Sequence, residues 1–277
     1  MDKIKLALFQ MKSFAKVEDN LKQLEDWLDT KLEMGTDLVL LPEIFVCPYK
    51  SSDFPIYAEE KGGSTYLKLA GLAKKHGIWL SAGSVPELAD GKVYNSAYVF
   101  NRKGQEAAHH RKVHLFDINV KGGISFQESE TLTPGDEITV FDTEFGKIGL
   151  MICFDIRFAE HARVMADLGA RLVLVPGAFN LTTGPAHWEL SFRARALDNQ
   201  YFMAGCAPAR DMEASYHSYG HSIVTGPWGD VIGQLDETPG VLNITLDLAE
   251  CAAIRDQLPI LKSRKPEVYR KYRHTDL

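Results

Sequence analysis

A single cysteine separates an apolar run from a helical pattern in the middle of the chain. Cys153 follows "IGLMI", and Asp155 precedes "IRFAEHARVMADLG", which ends at Gly169. The pattern predicts a buried strand, an N-cap at Asp155 and a thiol beside the positive end of a helix dipole. That position favours a thiolate and hence a nucleophile. A lone cysteine is equally typical of a small buried hydrophobic residue, which is our interpretation of the other three cysteines.

Charged residues follow other apolar segments, where packing gives no reason for a charge. Glu43 comes after "DLVLL" and Pro42, and a partly buried carboxylate has a raised pKa and can act as a base. Lys112, in "HHRKVHLFD", precedes the aperiodic stretch 116–135, and Glu128 lies within that stretch. A loop of this length in a compact domain is usually functional. Each charge taken singly is also typical of a solvated surface residue.

Strands and helices alternate along the first half of the chain. The segments "IKLALFQM", "DLVLLP" and "IWLSAGSVPE" are short and apolar and predict strands. Apolar residues at helical spacing predict a first helix that stops at Gly35, and "STYLKLAGLAKKH" predicts a second that ends at Gly77. The Asp-Gly pair in "ADGK" predicts a hairpin turn.

Two strands with similar flanks lie half a chain apart. "GTDLVLLPEIF" and "GARLVLVPGAF" share a glycine, a Leu-Val-Leu strand, a proline and a phenylalanine. Two unrelated core strands would explain this equally well. If the halves are related, Glu43 and Gly177 occupy equivalent carboxyl ends of strands, where ligands gather in layered α/β folds.

The length and net charge of the chain limit the classes of molecule that it is expected to bind. The 277 residues are 45% hydrophobic with a net charge of −6, so we expect one domain over 1–277 and no nucleic-acid partner. A small molecule or a second copy of the chain is the expected partner. No apolar run is long enough to cross a bilayer, and the opening "MDKIKLALFQ" lacks the long apolar core and cleavage site expected of a signal peptide. The scattered cysteines therefore predict free thiols and a cytoplasmic protein.

Taken together, these residues and the segments around them resemble the nitrilase superfamily of carbon–nitrogen hydrolases. The resemblance covers nearly the whole chain. Its Glu-Lys-Cys triad matches Glu43 in "LLPEIF", Lys112 in "HRKVHLF" and Cys153 in "ICFDIRFAE". Other segments are similar to the omega-amidase branch, whose members hydrolyse the terminal amide of 2-oxoglutaramate and 2-oxosuccinamate. These segments are "VHLFDINV", "FQESETLTPGD", "PGAFNLTTGPAHWEL", "RARALDNQ" and "GHSIVTGPWGDV".

The resemblance implies a fold and a set of roles. The fold is α/β, a four-layer α-β-β-α sandwich, and two copies pair through helices into a homodimer. Cys153 forms a thioester, Glu43 is the general base, and Lys112 stabilises the oxyanion together with the backbone N–H of Phe154. Glu128 holds Lys112 in place, and no metal or organic cofactor is required. The residues expected to contact substrate are Tyr49, Phe154, Arg157, Phe179 and Thr183.

Arg157 lies four residues after Cys153, which on a helix places both side chains on one face. Related amidases with carboxylate-bearing substrates have an arginine here, so we expect Arg157 to bind the distal carboxylate. The alternative is a structural ion pair with Glu160.

Other functions remain as alternatives. A related amidohydrolase acting on deaminated glutathione or N-carbamoyl amino acids shares the triad, as does a nitrile hydrolase. A non-catalytic binding protein on the same scaffold is a further hypothesis. A zinc hydrolase is disfavoured, because His109, His110 and His114 lack an HExxH or paired CxxC pattern.

Overall fold

The side chains of the first strand, β1 (Lys3–Gln10), alternate between two apolar cores. Leu6 and Leu8 belong to one core, and Ala7 and Phe9 belong to the other. This alternation follows from the two-residue period of a strand. β1 is therefore buried on both faces, with a different layer on each side.

The computed structural model describes residues 2–122 and 125–272. The strands after β1 are β2 (Leu38–Leu40), β3 (Glu59–Glu60), β4 (Trp79–Ser81), β5 (Val85–Ala89), β6 (Lys92–Phe100), β7 (Glu106–Arg111), β8 (Asp117–Asn119), β9 (Ser125–Gln127), β10 (Thr139–Thr143), β11 (Gly146–Leu150), β12 (Leu172–Pro176), β13 (Phe202–Cys206), β14 (Ile223–Thr225), β15 (Val231–Gln234) and β16 (Gly240–Asp247). The α-helices are α1 (Val17–Thr30), α2 (Phe54–Tyr57), α3 (Ser64–His76), α4 (Ala159–Asp167), α5 (Gly184–Asn199), α6 (Glu250–Gln257) and α7 (Pro266–Arg270). Short 3₁₀ helices span Ser51–Asp53, Glu128–Glu130 and Cys153–Arg157.

Two large sheets form the centre of the described structure. The first has the order β16-β1-β2-β4-β6-β5-β3 with β7 beside β6, and the second has the order β10-β11-β12-β13-β14-β15. One core joins their facing sides and also includes apolar residues of α4 and α5. The other core lies between the first sheet and helices α1 and α3. This is the predicted four-layer α-β-β-α arrangement.

Several predicted elements are confirmed. Helix α3 ends at Gly77 with φ +64°, as predicted, whereas α1 ends at Thr30, five residues before the Gly35 that is predicted to stop it. Asp90 and Gly91 both have positive φ and join β5 to β6 as an antiparallel hairpin. Strands β2 and β12, the two similar segments, each have parallel neighbours on both sides. They occupy corresponding places in the two sheets.

The prediction of one continuous strand over "IWLSAGSVPE" is wrong. The chain breaks into β4 and β5 at Gly83, whose φ is +50°. A Cβ on Gly83 would lie 2.0 Å from the carbonyl oxygen of Pro42. The chain therefore turns here because only glycine allows both this conformation and the close approach to the end of β2.

The helix predicted to start at Asp155 is also wrong. Residues Cys153–Arg157 form a 3₁₀ helix, and α4 begins only at Ala159. Residues four apart do not stack on one face of a 3₁₀ helix, whose side chains eclipse every third residue. The helical argument for placing Arg157 beside Cys153 therefore fails.

The segment 116–135 is more ordered than its aperiodic sequence suggests. β8 and β9 pair antiparallel within it, and the 3₁₀ turn Glu128–Glu130 follows. Residues 123–124 lie outside the described residues. None of the described helices is long and apolar enough to span a membrane. The prediction of one domain over 1–277 stays a prediction.

Candidate active site

Glu43 follows β2 and is almost fully buried, with 1% of its surface exposed. Its Oε1 accepts hydrogen bonds from Lys112 Nζ and Asn95 Nδ2, both at 2.9 Å, and its Oε2 accepts one from the Ala178 N–H at 2.9 Å. Burial raises the pKa of Glu43, and the positive charge of Lys112 opposes this shift. The carboxylate is thus held by several donors in a dry environment, which suits a general base.

Lys112 extends from the end of β7 into the same buried cluster. Its Nζ also donates to Glu128 at 2.9 Å, and the side chains of all three charged residues are fully buried. Burial lowers the pKa of Lys112, but the charges of Glu128 and Glu43 outweigh it, so the pKa lies well above its usual value. Lys112 is therefore an ammonium beside two carboxylates, and the cluster holds more acidic than basic groups.

Tyr49 connects the two carboxylates. Its hydroxyl lies 2.6 Å from Glu128 Oε1 and 3.1 Å from Glu43 Oε1. The second oxygen of Glu128 accepts a bond from the Phe116 N–H at 2.8 Å. Glu128 is therefore held at both oxygens. Tyr49, from the segment after β2, holds Oε1, and the backbone of Phe116 holds Oε2.

Cys153 sits at a strained position where the chain leaves β11. Its φ is +46°, in the left-handed region, and a non-glycine residue there costs of order 1–3 kcal/mol. The thiol is buried, and burial followed by the nearby Glu43 charge raises its pKa well above the usual value. The prediction that a helix dipole favours the thiolate is therefore wrong: desolvation outweighs it, and α4 starts six residues later. The side chain of Cys153 is therefore a thiol at rest and would need a base to react as a nucleophile.

Arg157 is half-buried. Burial lowers its pKa, and the charge of a Cys153 thiolate would oppose this shift. Its Nη1 donates to His187 Nδ1 at 3.1 Å, and its guanidinium carbon lies 4.9 Å from the ring centre of Phe179. Within the described part of the chain it forms no ion pair with Glu160 or any other carboxylate. A cation without an acidic partner beside a nucleophile is suited to an anionic ligand.

The remaining predicted substrate contacts differ in their surroundings. Phe179 is buried beneath Arg157 and packs on Trp188 with ring centres 5.0 Å apart. The Phe154 ring lies 5.5 Å from the Arg157 guanidinium carbon. The Thr183 hydroxyl lies 3.4 Å from Asn180 Oδ1, and no described hydrogen bond of Thr183 reaches the charged cluster. Its role in substrate binding stays a prediction.

A cavity of about 390 Å³ opens onto Glu43. Tyr49 and Tyr216 line it near the carboxylate, and residues between 208 and 218 line its outer part. Of the described residues, Arg157 and Phe179 are not among those that line it. The cavity at Glu43 and the surroundings of Arg157 are therefore formed by different residues.

Sequence reasoning missed three groups of the site. Asn95 lies in the middle of the buried strand β6, where a polar residue in an apolar pattern was an available signal. The Tyr216 hydroxyl donates to the Ala178 carbonyl oxygen, and its ring centre lies 4.7 Å from that of Tyr49. Nothing in the irregular segment around Tyr216 marks it. The Ala178 N–H donates to Glu43 through the backbone, so its residue type carries no signal.

A buried cysteine near a carboxylate and an ammonium that contact each other, on an α-β-β-α sandwich, is typical of a cysteine-dependent hydrolase. The family described as carbon-nitrogen hydrolase matches residues 5–256. The chain belongs to this carbon–nitrogen hydrolase family, and the predicted resemblance to the nitrilase superfamily is confirmed.

Individual relatives agree with this assignment. The Xenopus laevis protein named omega-amidase NIT2-A is 48% identical over 269 residues, covering 97% of this chain and 98% of the relative. The crystal structure of Saccharomyces cerevisiae Nit3, described as a member of branch 10 of the nitrilase superfamily, has a TM-score of 0.87 and 40% identity, covering 95% of this chain and 97% of that one.

A bacterial neighbour carries a covalent adduct. A glutamate-to-glutamine mutant of the amidase from Nesterenkonia sp. AN1 is described with the acetamide moiety of fluoroacetamide added at its active-site cysteine. It has a TM-score of 0.81 and 26% identity to this chain, and the match covers 97% of this chain and 96% of that one.

Proposed function

We propose that this protein is an omega-amidase that hydrolyses the terminal amide of short 2-oxo dicarboxylic monoamides, such as 2-oxoglutaramate and 2-oxosuccinamate. The observation that carries the proposal is the buried contact of Lys112 with both Glu43 and Glu128 next to Cys153. The name of the Xenopus relative, at 48% identity, supports the substrate class.

The first half of the reaction forms a thioester. Cys153 is protonated at rest, because burial raises its pKa, so Glu43 removes the thiol proton as sulfur attacks the amide carbon. Lys112 and the Phe154 N–H stabilise the oxyanion, and one such donor contributes about 3 kcal/mol in comparable sites. The tetrahedral intermediate collapses, the C–N bond breaks, and Glu43 passes its proton to the departing ammonia.

The second half restores the enzyme. Glu43, again a carboxylate, removes a proton from water as the water oxygen attacks the thioester carbon. The C–S bond breaks, the proton returns to the sulfur of Cys153, and the dicarboxylate leaves. The balance is one amide and one water consumed, and one carboxylic acid and one ammonia produced.

Glu128 and Tyr49 keep the charged groups in place. Glu128 balances the charge of Lys112 and accepts a hydrogen bond from its Nζ at 2.9 Å. The ammonium is therefore shared between two carboxylates and does not pair with Glu43 alone. Tyr49 bridges the two carboxylates and lines the cavity. Tyr49 therefore also contacts the bound amide in this proposal.

Arg157 supplies the specificity for a distal carboxylate. Its side chain lacks a carboxylate partner among the described residues, and the Phe179 ring beneath the guanidinium limits its movement. A bidentate bond to a carboxylate satisfies an arginine that burial has partly desolvated. The His187 Nδ1 accepts from Nη1, which leaves other N–H groups of the guanidinium for the substrate.

The test is ammonia release from a panel of ω-amides, deaminated glutathione, N-carbamoyl amino acids and nitriles. We expect the highest kcat/KM for 2-oxoglutaramate or 2-oxosuccinamate. A preference for another panel member would support an alternative amidohydrolase, and no release from any compound would favour a binding protein.

The nucleophile has a separate test. Cys153→Ala removes only a sulfur atom and is expected to fold normally and to lose turnover. Mass spectrometry of the native protein trapped with substrate should find the acyl group on Cys153. An adduct on Cys47, Cys206 or Cys251 would overturn the assignment.

We also propose a cytoplasmic homodimer. The four cysteines are free and buried, which agrees with a reducing compartment. Exposed apolar side chains lie on α5 and at the end of α4, and a second copy would cover them. They are Val164, Leu168, Leu190 and Leu197. Sedimentation at micromolar concentration should give twice the chain mass of 30.9 kDa; a monomer would contradict the proposed dimer.

A further inference from the structure

The side chain of Asp155 is fully buried behind the nucleophile and accepts hydrogen bonds on both oxygens. Oδ2 accepts from the Ile152 N–H at 3.0 Å and from His110 Nε2 at 3.2 Å. Oδ1 accepts from the His114 N–H at 2.9 Å and from His114 Nδ1 at 2.8 Å. A carboxylate offers about four acceptor directions, so those of Asp155 are all used.

The donors to Asp155 belong to the two chain segments that carry the reacting groups. Ile152 immediately precedes Cys153, while His110 and His114 each lie two residues from Lys112. Burial raises the pKa of Asp155, but the bonds from the two histidines outweigh it and hold the pKa well below its usual range. Asp155 is therefore an anion that binds both segments at once.

These hydrogen bonds of Asp155 are needed because neither segment forms regular secondary structure at the site. Cys153 has a left-handed φ of +46° between β11 and a short 3₁₀ helix, and Lys112 is the first residue after β7. Sheet pairing cannot hold these two positions relative to each other, since β7 belongs to the first sheet and β11 to the second. The Asp155 hydrogen bonds cross from one sheet to the other at this point.

We propose that Asp155 is a positioning residue for amide hydrolysis, which keeps the Cys153 sulfur and the Lys112 ammonium at the separation that the tetrahedral intermediate requires. This inference rests on the proposed function. Asp155 does not line the cavity at Glu43, so it acts on the chemical step through Cys153 and Lys112 and not through substrate affinity.

A cation site is the competing explanation for the same cluster. His114, Asp155 and His161 each offer a ligand atom, and the three atoms lie within 4.8 Å of one another. However, the acceptor directions of Asp155 are already filled by N–H donors, and a cation would have to displace one of them. His161 is buried, and neither of its ring nitrogens has a hydrogen-bond partner among the described residues. His161 is therefore a neighbour that the positioning role does not need.

The test compares three variants with the native enzyme. Asp155→Asn keeps the size but turns an NH₂ donor towards N–H donors, and misplacement of reacting groups by about 1 Å can lower kcat about 10²-fold. We expect that loss in kcat, with KM changed less than about threefold. His114→Ala removes one of the hydrogen bonds and leaves the backbone N–H bond, so we expect a smaller loss in kcat. His161→Leu is the matched control and should keep native kcat and KM.

Several results would overturn the positioning role. A folded Asp155→Asn protein with native kcat would do so, as would a loss confined to KM or an equal loss in His161→Leu. If Asp155→Asn does not fold in a thermal melt, His114→Ala decides, and native kcat in that variant refutes the proposal.

A second readout separates this inference from the proposed function. If the native protein releases no ammonia from any amide, the proposed function fails, and the rate of Cys153 alkylation by iodoacetamide then tests Asp155 alone. Peptide mass spectrometry identifies the alkylated residue. Slower alkylation in Asp155→Asn than in the native protein supports the positioning role, and equal rates reject it.

Discussion

The sulfur of Cys153 keeps its proton at rest, because burial and the adjacent Glu43 carboxylate both disfavour a thiolate. A thiol at the end of a strand is usually discussed in terms of a helix dipole that activates it. In the proposed mechanism the activating group is Glu43, which is itself buried and has a raised pKa. Activity would then depend on a single proton that moves between two desolvated groups.

Glu43→Gln tests the base. The amide keeps the size of the side chain but cannot take a proton, so we expect acylation to fall by at least about 10²-fold. The native kcat/KM should decline as pH falls through the raised Glu43 pKa, because the base is then protonated, and this acid limb should vanish in the variant. Stopped-flow ammonia release over a pH series measures both.

The control for this experiment is Glu18→Gln, on the exposed first turn of α1. It should leave the rate and the pH profile unchanged. Activity of Glu43→Gln within a few-fold of native would show that Glu43 is not the base.

Arg157→Met tests carboxylate recognition. If Arg157 binds the distal carboxylate, its charge-assisted bonds contribute about 2–3 kcal/mol, or some tens- to hundreds-fold in kcat/KM. We expect that loss with 2-oxoglutaramate and only a small loss with an uncharged short amide such as propionamide. Arg193→Met, which breaks an exposed ion pair with Glu189 on α5, is the control. Equal losses on both substrates would return Arg157 to a structural role.

At the scale of elements, the packing of α5 on β13 depends on a glycine, which has no side chain. Gly205 of β13 lies against Phe192 of α5, and a Cβ there would be 2.2 Å from the edge of the Phe192 ring. Phe192 is fully buried, so its ring can shift only by displacing its packed neighbours. This close approach keeps α5, which carries the Arg157 hydrogen-bond partner His187, against the second sheet.

Gly205→Ala should therefore destabilise the protein by about 1–3 kcal/mol through overpacking. The matched control is Gly71→Ala on the exposed side of α3, where a Cβ meets nothing within 4 Å. Alanine in a helix interior is more stable than glycine by about 0.5–1 kcal/mol. Urea unfolding measures the change in the free energy of unfolding for each variant, which should be a decrease for Gly205→Ala and an increase for Gly71→Ala. An increase for Gly205→Ala would mean that α5 can move away from β13 without loss of stability.

At the scale of the whole molecule, acid stability depends on the buried His161 of α4. Burial lowers the pKa of His161 to about 4, below the value near 6.5 of an unfolded histidine. Between these values the unfolded chain binds a proton that the folded chain does not, so stability rises with pH in this window and is lost as pH falls. At pH 5 the loss relative to pH 7 is about 2 kcal/mol for this residue.

His161→Leu should remove that part of the pH dependence. We expect the free energy of unfolding to fall less between pH 7 and pH 5 in the variant than in the native protein. Urea unfolding at both pH values measures the difference, because the variant gives the contribution of all other groups and the native protein gives the sum with His161. Equal slopes in the two proteins would show that His161 is not neutral in the folded state.

Local patterns along the chain were sufficient to predict several features of the fold and the site. The amphipathic period of α1 and α3, the glycine stop at Gly77 and the Asp-Gly turn all depend on residues within a few positions of each other. The motifs around Glu43, Lys112 and Cys153 likewise indicate a family and a type of chemistry. These features are predictable because the interactions that decide them are local, or are properties of a residue type at a strand end.

Tertiary structure alone decided how these residues work. The Ala178 N–H reaches Glu43 across 135 positions, and Lys112 reaches it across 69. The 3₁₀ turn at Cys153, the break at Gly83 and the raised pKa of the thiol all arise where distant segments meet. Burial and charge at a point in space depend on every segment packed around it, and the order of residues along one segment does not contain that information.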